Sequence, residues 1–116
     1  MNLEQVLIFT AAAQQAREDE LDAKLKVPEM KEIAEREKAV ILNLGLGSGA
    51  IDGKNAETRN IQIAGLLLGN ENYQKILAYV AELEFKAARA TIRRQRAEDE
   101  LSIVRAYLYS LSGERQ

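Results

Sequence analysis

The chain contains no Cys, no His, no Trp and only one Pro. Without Cys there can be no disulfide, no thiolate zinc site and no cysteine nucleophile. The lack of His excludes more, because it removes the commonest general base, the usual imidazole metal ligand and any Ser-His-Asp arrangement. Aromatics are scarce: four Tyr and two Phe in 116 residues favour helix packing over a sheet sandwich. Neither sign of charge dominates. A net charge of −2 does not mark the whole chain as a binder of nucleic acid or anionic membrane, so any electrostatic role must come from local clustering. Long apolar runs are missing too. Val6 to Phe9 followed by Ala11, Ala12 and Ala13 imitates a signal peptide, but Glu4 stands before it with no Lys or Arg, and the run is too short to span a bilayer. A soluble, cytoplasmic, single-domain protein is expected.

What the chain does have is strong helix formers: Ala, Leu, Glu, Lys, Arg and Gln dominate. From about Asn72 to Leu111 they run without a Gly or Pro. Ile76, Val80, Leu83, Ala87, Ala90, Arg94, Ala97, Leu101, Val104, Leu108 and Leu111 step by four and three in alternation, which is a coiled-coil seam. Only Arg94 on it is polar. A helix of this length would be roughly 60 Å long and needs a partner helix.

Leu3 to about Lys26 forms an earlier helical pattern through Leu3, Val6, Leu7, Thr10, Ala13, Leu21 and Leu25. Pro28 interrupts it, so that either one helix bends there or a second begins. Met30, Ile33, Glu37, Val40 and Leu44 continue the three-and-four spacing, with Ala34 and Ile41 beside them. Gly45, Gly47, Gly49 and Gly53 then mark a loop over 45–55. Asn55 is placed to N-cap a short helix over 56–68, Gly69 to end it, and Asn70 or Asn72 to start the last helix over 72–111. The expected fold is all-α: a long antiparallel helical hairpin of helices 3–26, 28–44 and 72–111, with 56–68 as a short capping helix, completed into a helical bundle by oligomerisation. The acidic block Glu18, Asp19, Glu20 and Asp22 and the basic block Lys86, Arg89, Arg93, Arg94 and Arg96 should meet across such a hairpin.

Three patterns could carry chemistry. Val40 to Ala50 looks like the first strand and glycine loop of a nucleotide-binding α/β domain, with Gly45, Gly47 and Ala50 in a loose dinucleotide fingerprint. It is also similar to the glycine loop of S-adenosylmethionine-dependent methyltransferases, except that Asn43 stands where those have an acid. Both folds need strands that the helical flanks cannot supply. A Walker loop is absent, since Asn55 follows Lys54 in place of Ser or Thr. Glu29-x-x-Glu32 and Glu32-x-x-Glu35 put acids on one helix face and resemble the first half of the motif of all-α nucleotide pyrophosphohydrolases. The second half is missing, because Asn60 stands where an acid should follow Glu57, and interleaved Lys31, Arg36 and Lys38 make a solvated ion-paired face. Lys86, Arg89, Arg93 and Arg96 lie on one helix face and could follow a phosphate backbone. No aromatic is interleaved among them to stack bases. Arg94, on the seam itself, should fix register or partner choice.

The stretch Asp52-Gly53-Lys54-Asn55-Ala56-Glu57-Thr58-Arg59, followed by a short apolar helix and a long charged one, resembles small helical phage and prophage proteins of unknown function. The resemblance spans roughly residues 50 to 110 and implies no catalytic residue. It favours an accessory role in nucleic-acid metabolism. Taken together, the residues point to a non-catalytic interaction or assembly protein with no metal and no cofactor, and a homo-oligomer, most simply a dimer. Tyr79, Phe85, Ile92, Ile103 and Tyr107, which fall off the main seam, are its interaction surface. The alternative is an accessory nucleic-acid binder using Lys86, Arg89, Arg93 and Arg96.

Overall fold

A computed structural model describes residues 2–114 as three helices joined by two short connections: α1 Leu3–Ser48, α2 Ala56–Gly69 and α3 Glu71–Glu114. No strand occurs among these residues, so the all-α architecture holds. The contacts divide them into two compact units, one from the residues up to Leu25 with those from Glu84 onward, the other Lys26–Leu83. In each, a stretch of α1 packs on a stretch of α3.

Two boundaries differ from the sequence expectation. Helices 3–26 and 28–44 are one helix, with Pro28 inside it. Proline in a helix interior removes the hydrogen bond to the carbonyl four residues earlier, here that of Lys24, and costs about 3 kcal/mol in an isolated helix. Packing of the flanking Val27, Met30 and Ala34 offsets that cost, while Pro28 itself lies exposed. The helix also runs through Gly45 and Gly47 to Ser48, well into the expected loop. Gly45 is buried, and a Cβ there would sit 2.8 Å from the Ile51 and Leu66 methyls. It serves close packing. The reversal comes at Gly49, whose φ of +83° suits glycine, and Ile51 N–H donates back to the Gly45 carbonyl at 3.0 Å.

The α1 seam also differs. Val6, Phe9, Ala13, Ala16, Glu20 and Ala23 face α3 in the first unit, and Val27, Met30, Ala34, Glu37 and Ile41 in the second, all buried or half-buried. They alternate threes and fours without a break. Leu21, Leu25, Ile33, Val40 and Leu44, which the bulk of their side chains nominates for the core, are exposed. On α3 the expected seam stands, with Val80, Leu83, Ala87, Ala90, Leu101 and Val104 buried, and it extends back to Tyr73.

The unit Lys26–Leu83 is a hairpin whose turn is built from local chemistry. Asn55 Oδ1 caps α2 by accepting Thr58 N–H at 2.8 Å. Gln62 Oε1 accepts the N–H groups of Asp52 and Gly53 at 3.1 and 3.0 Å, and its amide donates to Asp52 Oδ1 at 2.7 Å. Arg59 donates to the Gly53 carbonyl. Asn70 then serves both neighbours: its N–H closes the end of α2 on the Leu67 carbonyl, and its Oδ1 accepts Tyr73 N–H at 2.8 Å to start α3. The core of this unit is Ala34, Ile41 and Tyr73, with Leu66, Leu67 and Ile76 against it. No α2 residue is buried, because only one face of that helix meets the core.

Candidate interaction surface

In the unit that pairs the start of α1 with the end of α3, the seam is thin at its middle. In the register set by Arg17 with Glu98 and Glu20 with Arg94, Ala16 lies level with Ala97 and Ala23 with Ala90, small residues that let two helices approach closely but bury little area. Within this stretch lies a polar layer. Arg94 Nε donates to both oxygens of Glu20 at 3.2 Å and its Nη1 donates to Glu98 at 3.0 Å, while Arg17 Nε donates to Glu98 at 2.7 Å. Lys24 approaches Glu20 at 3.6 Å. The pairs of Arg17 with Glu98 and Glu20 with Arg94 run in opposite sequence directions, which makes the two helices antiparallel.

The environment favours the charged forms. A hydrogen bond from Thr91, with Arg94 beside it, holds the Glu20 carboxyl below its ordinary range against the opposing effect of burial. Arg17 first, then Arg94, does the same for Glu98, and Glu98 and Glu20 together raise the already high pKa of Arg94. A charge on a seam that finds two carboxylates at a single register penalises every other register. Within this unit Arg94 thus favours the register in which it meets Glu20 and Glu98.

The expected meeting of the acidic and basic blocks is made by Glu20 with Arg94, and Arg89, Arg93 and Arg96 take no part in it. Of Glu18, Asp19, Glu20 and Asp22, Glu20 alone turns to α3, and it takes the seam residue Arg94. Arg89, Arg93 and Arg96 are exposed and surround Ile92 in a shallow depression of about 350 Å³. Arg89 stacks over the Phe85 ring at 5.7 Å, and among the described residues neither Arg93 nor Arg96 has an ion-pair partner. Asp19 accepts a hydrogen bond from Gln15 within α1. These arginines therefore lie open.

Tyr79, Phe85, Ile92, Ile103 and Tyr107 are all exposed, Phe85 by 63% and Ile103 by 69%. Ile8, Leu21 and Leu25 on α1 and Ile61 and Leu68 on α2 share that exposure. Sequence reasoning misses Leu21 and Leu25 as surface because it counts them on the α1 seam. Spacing could have identified these two: once Glu20 is accepted on the α1 seam, Leu21 and Leu25 are forced off it.

The Glu29, Glu32 and Glu35 acids are exposed, with Glu32 paired to Arg36. Among the described residues no group of three or more Asp or Glu could hold a metal ion, and no helix is long and apolar enough to cross a membrane. An open groove of about 460 Å³ runs between the end of α1 and α2, lined by Ile41, Leu44, Gly45 and Leu66 and bordered by Ser48 and Asn70. It holds no charged group. Comparison with protein-family models, with curated proteins and with solved structures finds no significant match.

Proposed function

We propose that the protein is a non-catalytic, self-associating helical component, most simply a dimer, whose role is to assemble with copies of itself or with a protein partner in the cytoplasm. The observation that carries this is the imbalance between covered and open apolar surface. Among the described residues no large side chain is fully buried, whereas Phe85, Ile92 and Ile103 on α3 and Ile8, Leu21 and Leu25 on α1 stand open to solvent. Burying one such side chain is worth about 1.5–3 kcal/mol, so a second helix layer over these faces would contribute more than the Ala-rich seam can. Sedimentation equilibrium at micromolar concentrations should give a dimer or higher species. Ile92→Glu combined with Ile103→Glu should shift it to monomer while the far-ultraviolet circular dichroism stays helical. A wild type at the monomer mass throughout that range would end the proposal.

A second function is favoured by one specific observation, the open Arg93 and Arg96. An accessory that follows a phosphate backbone would use such a stripe, and its affinity would fall steeply with salt. The absence of an interleaved base-stacking aromatic and the abundance of open apolar side chains favour assembly.

A further inference from the structure

Resting on the self-association proposed above, we infer that Arg93 and Arg96 of α3 are neutralised by Asp22 and Asp19 of a second copy of this chain, in a dimer whose two-fold axis runs parallel to the helices. The pair of Arg17 with Glu98 occupies one flank of the seam. At 100° per residue, Asp19 and Asp22 lie on the far side of Glu20 from Arg17, and Arg89, Arg93 and Arg96 on the far side of Arg94 from Glu98. In an antiparallel helix pair these opposite flanks share one broad side. That side carries an acidic column along α1 and a basic column along α3.

The register places the two columns at the same height. With Arg17 against Glu98 and Glu20 against Arg94, Asp22 stands level with Arg93, Asp19 with Arg96, and Ile8 with Tyr107. Asp22, Arg93 and Arg96 have no ion-pair partner among the described residues. Ile8, Ile103 and Tyr107 lie open on the same side. A two-fold axis along the helices lays α1 of one copy over α3 of the other without changing height. Each Asp22 then meets an Arg93, each Asp19 an Arg96, and each Ile8 the Ile103 and Tyr107 side chains, all twice over. A two-fold perpendicular to the helices at this height would set α1 on α1, acid against acid, and α3 on α3, base against base. Like charges suppress that arrangement. The result is a four-helix layer pair with an apolar end and a charged middle.

The test uses two full-length variants, one with Arg93→Glu and Arg96→Glu, the other with Asp19→Lys and Asp22→Lys. Each should self-associate more weakly than wild type by roughly tenfold or more in dissociation constant, from the loss of several ion pairs and the gain of repulsion. Mixed one to one, they should form a heterodimer of near wild-type affinity, since every acid again faces a base. Pairing within one molecule cannot produce that rescue. A variant that loses helicity alone and regains it on mixing would support the same interface. A wild-type oligomer with both variants unaffected, or weakened without rescue, would place the interface elsewhere and leave self-association standing. A wild-type monomer would sink both. Retained assembly in the Arg93→Glu, Arg96→Glu variant, with loss of a salt-sensitive affinity for a duplex DNA probe, would assign the stripe to phosphate instead.

Discussion

The two units reach a defined register by different means. In Lys26–Leu83 the chain turns back through two connections, and nearby groups satisfy the backbone there: the Gln62 side chain on Asp52 and Gly53, the Asn55 side chain on Thr58, and Asn70 through its N–H on Leu67 and its side chain on Tyr73. In the other unit no connection holds the helices together. There the bonds span 74 and 81 residues, and a layer of Glu20, Arg94, Glu98 and Arg17 selects the register among alanines that would tolerate several. Turn chemistry fixes one unit and a half-buried charge cluster fixes the other. Hydrophobic bulk supports both without specifying either.

The largest expected effect tests where the stability of the second of these lies. Leu101, 4% exposed, is one of the few large side chains on its seam. Leu101→Ala should cost about 2–5 kcal/mol, read by urea denaturation. A loss well under 1 kcal/mol would mean that the alanine and charge layers hold the helices by themselves. Next comes the closed end. A Cβ at Gly53 would lie 2.8 Å from the backbone nitrogen of Arg59 and 2.9 Å from Thr58 Cβ, neither of which can swing aside. Gly53→Val should therefore cost about 1–3 kcal/mol, and an unchanged denaturation midpoint would show that the turn adapts freely.

The smallest effect concerns the charge layer. Glu20 and Glu98 are held below the ordinary carboxylate value of 4.5. A depressed folded pKa contributes stability that is present above the unfolded value and is lost as pH falls through the folded one. The melting temperature should drop as pH is lowered below about 4.5, and Glu20→Gln should lower the plateau at neutral pH while flattening that acid limb. Superimposable pH curves for the variant and the wild type would remove Glu20 from a stabilising role.

How much of this the sequence disclosed depended on what marked each helix. The α3 seam was legible because Leu83, Leu101, Val104 and their neighbours recur at threes and fours in a segment free of Gly and Pro until its end. The α1 seam was not, since its members are Ala13, Ala16, Glu20 and Ala23, while the conspicuous Leu21 and Leu25 belong to an open face. Size misled where spacing would have served. Pro28 and the glycines resemble breaks in the sequence; packing overrides the first, and Gly45 is needed for contact with Ile51 and Leu66. The cap at Asn55 was legible from local rules alone, whereas those rules left Asn70 and Asn72 both open for α3 and the structure uses Asn70. Of the candidate surface, the five α3 residues stand exposed as expected. The acid-to-base match within one molecule holds at Glu20 with Arg94 and not at Arg93 and Arg96, because it treated charge as a block when individual residues face different ways. The Asp52-to-Arg59 turn, which carries the phage-type resemblance, is occupied by hydrogen bonds of its own.

The long sequence span of the Glu20 to Arg94 bond also bears on the order of folding. Contacts in Lys26–Leu83 join residues close along the chain, so that hairpin closes at a small entropic cost and should form early. The other unit is bonded across sequence separations of 74 and 81 residues, a larger loop-closure cost, and should pair later. The charge layer belongs to that unit. A pairing slipped by one helical turn would set Arg94 against Ala16 or Ala23, where no carboxylate on the α1 seam neutralises it.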